Sequence, residues 1–317
     1  MPTFAVHVVS PGFLTTVQDL GRQRQAHLGI SASGAADSLS LRVGNLLLGN
    51  PENTAALEMT LVGCTLRFEE DSFITLTGSD FAPNVNGGSL PLWTPVLIRS
   101  GDVLHLGHTT SGARAYLCVQ GGFQCKPFLG SVSTHLMTGL GGIEGRPLKK
   151  GDTLSVHRLA GKLPSPPPQS FTSLLRMVDE RTPLRVTRGP QEDFFSEESN
   201  ATFFSSSYTV SEDSNRMGLR LIGPALTRTV DRELLTEGVS LGAIQVPQSG
   251  QPIILFVEHQ TTGGYPKIAN VISADFHRLG QLRPRDEVRF ESVSFDRALD
   301  LLRHQEALLN SHSIRPS

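Results

Sequence analysis

The sequence predicts a mainly β protein with a few helices, folded as two β-rich halves. Three observations point there. Apolar runs of strand length recur along the chain, and its 31 glycines and 20 prolines fall between them without a period, as turn formers do. The stretch 159–170 carries Pro164, Pro166, Pro167 and Pro168, which suit neither a helix interior nor a central strand and so mark a semi-rigid connector. The halves also repeat an order of features. Leu61-Val62-Gly63-Cys64-Thr65-Leu66 is echoed by Leu221-Ile222-Gly223-Pro224-Ala225-Leu226, Pro91-Leu92 by Pro252-Ile253, Gly121-Gly122-Phe123 by Gly263-Gly264-Tyr265, and the turn residue Asp152 by Asp286. Duplicated halves that each close their own sheet edges predict two barrels or barrel-like sheets. The expected division is 1–160, a linker over 161–182, and 183–317.

Residues 4–9 predict the opening strand, and Pro11-Gly12 a turn. The region 31–49 predicts the first helix, capped by Ser33 or Asp37. Leu39, Val43, Leu46 and Leu47 share one face, and Gly49 with Asn50-Pro51 stops it. Strands are expected at 57–68, 73–77, 96–99, 103–106 and 115–119, with a hairpin at Asn86-Gly87-Gly88. Asp80, on a glycine-led turn, reads as an aspartate bonding its own backbone before it reads as an acid or base. The second half predicts strands from 184 to 290, among them a buried one at 253–257. It also predicts a short helix at 191–197 and a surface stretch plus strand at 201–211. The run 295–309 predicts an amphipathic helix on the second half, with a frayed tail beyond Ser311.

The candidate functional residues lie on polar turns. Gln260-Thr261-Thr262-Gly263-Gly264-Tyr265-Pro266-Lys267-Ile268 follows the 253–257 strand. Its adjacent glycines allow positive φ or a close approach, its hydroxyls donate or accept, and Lys267 adds a cation. On pattern alone, a structural turn with a satisfied tyrosine comes slightly before that reading. Asn215-Arg216-Met217-Gly218 offers a guanidinium fork for a carboxylate or phosphate, or an internal ion pair from Arg216 to Glu237 or Asp213. Gln245 follows on the next apolar segment. In the first half Thr16, Gln18, Asp19 and Arg22 gather on one loop, to orient a polar ligand or to staple the loop.

Other chemistry is absent by motif. The net charge of −2, with 18% charged residues and no basic cluster, gives no footprint for nucleic acid. Gly161-Lys162-Leu163 lacks the hydroxyl of a phosphate loop, and no GxSxG elbow occurs. In Gly139-Leu140-Gly141-Gly142-Ile143-Glu144-Gly145 the glutamate breaks a dinucleotide fingerprint, leaving a glycine-rich loop expected to pack on the neighbouring half or on a partner. Cys64, Cys118 and Cys125 have no zinc spacing and suit a reducing cytoplasm. His105 and His108 point to opposite faces of a strand, so no metal ligand is assigned. His259 reads as structural. The first residues lack a secretory leader, and no apolar run reaches the length of a membrane span.

Three motifs carry a resemblance: Thr15-Thr16-Val17-Gln18-Asp19-Leu20-Gly21-Arg22, Asp213-Ser214-Asn215-Arg216-Met217-Gly218, and Gln260 to Ile268. Together they resemble the KipA-like family of biotin-dependent carboxyltransferases, the allophanate hydrolase subunit 2 domain, from about Val9 to Phe290. The resemblance implies two duplicated cyclophilin-like β-barrel domains. Asp37 and Asn45 match positions that the family usually fills with the same residues. Asp231-Arg232-Glu233-Leu234-Leu235 and Ala274-Asp275 match its 5-oxoprolinase subtype, in which a complex of several subunits hydrolyses 5-oxo-L-proline to L-glutamate with ATP. That implies ATP with magnesium at the level of the complex, a KipI-like partner and a LamB/YcsF-like partner within it, and a chain inactive alone. The resemblance implies catalytic roles for Arg216, Thr261, Thr262, Tyr265 and Lys267. It implies substrate contacts for Thr16, Gln18, Asp19, Arg22, Asn215, Gln245, Gly263 and Gly264. Two other readings stand beside it. One is the carboxyltransferase subunit of a urea-type carboxylase, its biotin carried elsewhere because no lysine here lies between methionines. The other is a regulatory antagonist of a kinase inhibitor.

Overall fold

The computed structural model describes residues 2–158, 183–230 and 234–310. The expected linker, the tail beyond Ser311 and Asp231-Arg232-Glu233 lie outside the described residues. The chain is mainly β, as expected, and divides into two compact units. One comprises Met1–Gln23, Ser33–Val178 and Leu308–Ser317, the other Arg24–Ala32 and Asp179–Ala307.

The first unit holds two antiparallel sheets. One orders its strands Thr153–His157, Thr3–Ser10, Thr65–Phe68, Val103–His105, Asn84–Val85, Gly88–Ser89. The other orders them Leu14–Gln18, Ala56–Thr60, Arg114–Val119, Ser72–Gly78, Val96–Ile98. Alternate residues of both sheets, including Val6, Val8, Leu66, Phe68, Val17, Leu57, Met59 and Leu117, meet in one core. The strand expected over 57–68 is two strands. Leu61 takes φ 59° and donates its N–H to the Ala113 carbonyl, so the chain turns and its second part joins the other sheet. The hairpin at Asn86-Gly87 forms as the sequence indicates, with φ 49° and 87°.

The far face of the five-stranded sheet carries the helix Ser38–Leu47. Asp37 caps it, accepting from the Ser40 N–H at 2.9 Å and from its hydroxyl at 2.6 Å. Leu39, Val43, Leu46 and Leu47 form its apolar side, where Leu309 is fully buried with them.

The second unit is built on an eight-stranded sheet ordered Glu287–Val288, Tyr208–Val210, Gly218–Ile222, Ile253–Leu255, Ala243–Gln245, Lys267–Val271, Leu184–Arg188, Phe290–Ser292. Its first and last strands are consecutive in sequence, separated by Arg289 alone, so the sheet curls into a nearly closed barrel. Phe203, Tyr208 and Phe290 pack together, with Phe203 stacked on Phe290 at 4.5 Å. Phe203 lies on a helix, Glu197–Ser205, where the sequence suggested surface chain. Its apolar pattern is weak, and its signal is the cap: Ser196 Oγ accepts from Ser199 N at 3.0 Å, with Glu197 and Glu198 in the first turn. The last helix spans Phe295–Asn310, and Gln305 donates to the Ala274 carbonyl at 3.1 Å.

The repeat between the halves has a physical core in one turn. In the first unit Val8 donates to the Asp152 carbonyl and accepts from Gly151, both at 2.9 Å. In the second, Val210 donates to the Asp286 carbonyl at 2.9 Å and accepts from Arg285 at 2.8 Å. Each aspartate carboxylate also accepts from the backbone N–H three residues earlier, Lys149 and Arg283, at 2.8 Å. The residue before the aspartate is left-handed in both, at φ 91° for Gly151 and 74° for Arg285. The double glycines of the repeat differ instead: Gly121 and Gly122 need positive φ, while Gly263 and Gly264 do not. Arginine in the left-handed region is strained, and its ion pair with Glu212 is exposed. Arg285→Gly is therefore expected to stabilise the protein by about 0.5–1 kcal/mol, read as a higher urea midpoint with an unchanged slope.

Candidate functional site

In the second unit the strand Ile253–Leu255 runs out at Phe256, whose N–H donates to the Met217 carbonyl at 3.0 Å. Glu258 N–H then donates to the Arg216 carbonyl at 2.7 Å. These bonds lay the Asn215-Arg216-Met217 turn beside the root of the 260–268 loop, so two of the three motifs meet here. Arg216 is only 6% exposed, and its Nε donates to Glu258 Oε1 at 2.5 Å. The partner is neither Asp213 nor Glu237, the acids considered from the sequence. Register decides it, because strand pairing brings Glu258 alongside. Asn215 is exposed, and its Oδ1 accepts from Met217 N at 2.8 Å, closing its own turn. His259 donates from Nδ1 to the Gln260 carbonyl at 2.6 Å, and burial pulls its pKa below the ordinary value.

The loop then forms a ribbon. Thr262–Gly263 pairs antiparallel with Glu237–Gly238, and Val239 N–H donates to the Thr261 carbonyl at 3.1 Å. Gln245 and Lys267 stand opposite one another in the main sheet. Lys267 is 5% exposed and its Nζ is ion-paired to Glu237 Oε1. Gln191 bonds the same pair twice, donating to Glu237 Oε1 at 3.0 Å and accepting from Lys267 N at 3.1 Å. The Lys267 ammonium holds the Glu237 carboxyl below its ordinary pKa. Lys267 is thus a tether for the ribbon. Thr262, Gly264 and Tyr265 face solvent, Tyr265 at 48%, and Thr261 is half-buried. Gln245 is buried beneath them, with Oε1 accepting from Gln260 Nε2 at 3.3 Å. A Cβ at position 263 would lie 2.6 Å from Gln245 Nε2, so the ribbon passes close over that side chain.

In the first unit Thr16, Gln18, Asp19 and Arg22 do come together, all buried. Asp19 Oδ1 accepts from the Ser131 and Ser133 hydroxyls at 2.6 Å and from Gly21 N at 2.8 Å; Oδ2 accepts from Val132 N at 2.8 Å. Gln18 Nε2 donates to Thr16 Oγ1 at 3.0 Å and to the Thr134 carbonyl at 3.1 Å. Arg22 donates to the Ser133 carbonyl and stands 6.0 Å from the Phe128 ring. The stapling function is what these contacts perform. The segment Ser131 to Thr134 is the part that sequence reading missed; its hydroxyls were the available signal. The glycine-rich run packs on that segment of its own unit, Gly142 N–H donating to the Val132 carbonyl at 2.7 Å.

A second buried cluster also went unread. Tyr116 donates to Glu58 Oε2 at 2.7 Å and accepts from Asp37 N at 2.8 Å, while Arg114 Nε stands 3.7 Å from Glu58 Oε1. Burial, then the Glu58 charge, pushes the Tyr116 phenol well above its ordinary pKa. These residues lie on strands, where alternation marked only the sheet. Asp80 accepts from Ala82 N at 2.7 Å, closing its own turn. Among the described residues no group of three or more His, Cys, Asp or Glu could hold a metal ion, and no helix is long and apolar enough to cross a membrane. Burial pushes the Cys64 and Cys125 thiols up to about 12 and about 11.

The carboxyltransferase domain family, subdomains A and B, matches residues 28–292. The C subunit of the 5-oxoprolinase of Escherichia coli (strain K12) is 40% identical over 299 residues, 94% of each chain. Its counterpart in Haemophilus influenzae is 39% identical over 298 residues, 93% of each chain. The solved urea amidolyase of K. lactis superposes with a TM-score of 0.89 at 32% identity, over 98% of this chain and 20% of that one.

Two outcomes are expected. Glu237 has a lowered folded pKa, so its tie to Lys267 is present above the ordinary value of 4.5 and is lost as pH falls through the lower folded value. The protection of the Val239 amide against exchange, relative to its intrinsic rate, should then fall selectively in acid, and Glu237→Gln should lower it at neutral pH. Ser133→Ala should cost about 1–2 kcal/mol in urea unfolding, and Asp19→Ala about 3 kcal/mol or more because several buried donors lose their acceptor.

Proposed function

The chain belongs to the carboxyltransferase domain family, subdomains A and B, and from that premise we propose that it is the C subunit of an ATP-dependent 5-oxoprolinase. The observation that carries this reading is the end-to-end match to proteins of that name, at 40% identity over 94% of both chains. The urea amidolyase resembles this chain over only a fifth of its own length, at lower identity.

The complex would hydrolyse 5-oxo-L-proline to L-glutamate with ATP hydrolysis, in the cytoplasm. A KipI-like and a LamB/YcsF-like protein would be its other components, and this chain alone would be inactive. A five-membered lactam is an unreactive amide. Phosphorylation of its carbonyl oxygen creates a better electrophile and leaving group, and ATP supplies the driving force. Such chemistry needs fixed donors around developing negative charge. The exposure of Thr262, Gly264 and Tyr265, with Thr261 and Gly263 half-buried beside them, supports a substrate-contacting role for this loop. Arg216 and Lys267, each committed to a carboxylate, take positioning roles. Asn215 shapes the neighbouring turn, and Thr16, Gln18, Asp19 and Arg22 hold theirs. We assign no residue of this chain to ATP or magnesium.

The test is an omission assay with the three purified proteins, measuring glutamate and phosphate release together. Turnover should require all three, and Thr262→Ala should lower kcat by about 10- to 100-fold while the complex still assembles. Undiminished turnover without this chain would overturn the reading. Biotin on a co-purifying protein, with urea-dependent carboxylation, would replace it by the carboxyltransferase alternative.

A further inference from the structure

Two buried donors in the second unit, the Gln245 amide and the Tyr208 hydroxyl, meet no partner among the described residues, and the first lies beside the 260–268 loop. Gln245 is 2% exposed, and among the described residues its Nε2 meets no hydrogen-bond acceptor. Buried amide donors are seldom left this way, because the lost hydration is not replaced. The side chain is oriented by its other end, where Oε1 accepts from Gln260 Nε2 at 3.3 Å. Nε2 therefore points up at Gly263, close enough that a Cβ there would lie at 2.6 Å. Above it lies the smallest sheet of the unit, two residues on each side, with glycine at 238 and 263. That ribbon is held chiefly by the Lys267–Glu237 pair and by Gln191. So short a pairing opens at low cost compared with the main barrel.

We propose that the Gln245 amide is the hydrogen-bond donor for a neutral carbonyl oxygen of the substrate, reached when the Glu237–Gly238 and Thr262–Gly263 ribbon lifts. The inference rests on the 5-oxoprolinase reading, under which that oxygen is the lactam carbonyl. The surroundings favour a neutral group. Gln191, Gln245 and Gln260 carry no charge, and the Lys267 ammonium is already neutralised by Glu237. The lactam end of 5-oxo-L-proline would enter with its own carboxylate left at the solvent side, because a carboxylate at Nε2 would bring an uncompensated buried charge, whereas a carbonyl completes the donor. A site of this kind also selects: the unsubstituted ring of proline would leave Nε2 unpaired, and 5-oxo-L-proline would not.

The test follows the Gln245 side-chain amide by nitrogen-resolved NMR on the whole chain, assigned by its disappearance in Gln245→Met. Three ligands are titrated: 5-oxo-L-proline, 2-pyrrolidinone (a lactam without the carboxylate) and L-proline. Both lactams should move the resonance and L-proline should not. In the three-protein mixture, Gln245→Met should lower kcat/KM for 5-oxo-L-proline by about 10- to 100-fold. A resonance unmoved by either lactam in large molar excess overturns the proposal, as does a kcat/KM within about twofold of the parent. Failure of the 5-oxoprolinase reading shows differently: the chain is dispensable for turnover, while a lactam-dependent shift would still place a carbonyl-binding donor at Gln245. Should Gln245→Met not fold, Gln245→Glu supplies the assignment in its place, and the lactam titration of the parent chain against L-proline decides the question.

Discussion

A charge removed from water must be met by a partner in the folded chain, and the loops of this molecule are fastened on that constraint. Arg216 is met by Glu258, Lys267 by Glu237, and Asp275 by both Arg185 and Arg278. Asp19 is met by two serine hydroxyls and two backbone N–H groups. Apart from the local contacts of Asp275 with Arg278 and of Asp19 with Gly21, these ties join a turn or loop to a strand or segment far away in sequence. Removing one partner would strand the other in a low-dielectric interior, which is far costlier than losing an exposed pair. The consequence for function is a division of labour. Charged side chains hold the backbone, and under the proposed function neutral donors are left to face the ligand.

That division explains what the sequence could and could not disclose. Features with local causes were legible: the helix with its Asp37 cap, the Asn86-Gly87 hairpin, the strands of both sheets and the turn aspartates Asp152 and Asp286. Features set by register were not. The Leu61 turn exists because Ala113 takes its N–H, and nothing near Leu61 announces that. The partner of Arg216 is 42 residues away, chosen by strand pairing over two nearer acids. The helix Glu197–Ser205 hid behind a weak apolar pattern and showed itself only in its cap. The motif residues were found, but their partners were not: Arg216 and Lys267, which the resemblance marks as catalytic, are each ion-paired to a carboxylate that the sequence did not assign to them.

The same logic bears on the family. In the second unit the main barrel supplies rigid strands, and a two-stranded ribbon with two glycines carries the polar loop. A rigid sheet beneath a lightly held cover suits a site that must admit a small polar molecule and then exclude water from it. The first unit uses the turn around Asp19 differently, as a knot that fixes the Ser131 to Thr134 segment and the glycine-rich loop upon it.

The central claim is that the Thr261 to Tyr265 loop is the surface at which this chain meets substrate. The most direct measurement is hydrogen exchange of that loop in the assembled complex of all three proteins, with and without 5-oxo-L-proline and ATP. The account predicts slowing concentrated at Thr262, Gly263 and Gly264 when both are present. Exchange in this loop that stays unchanged while the complex turns over would contradict it.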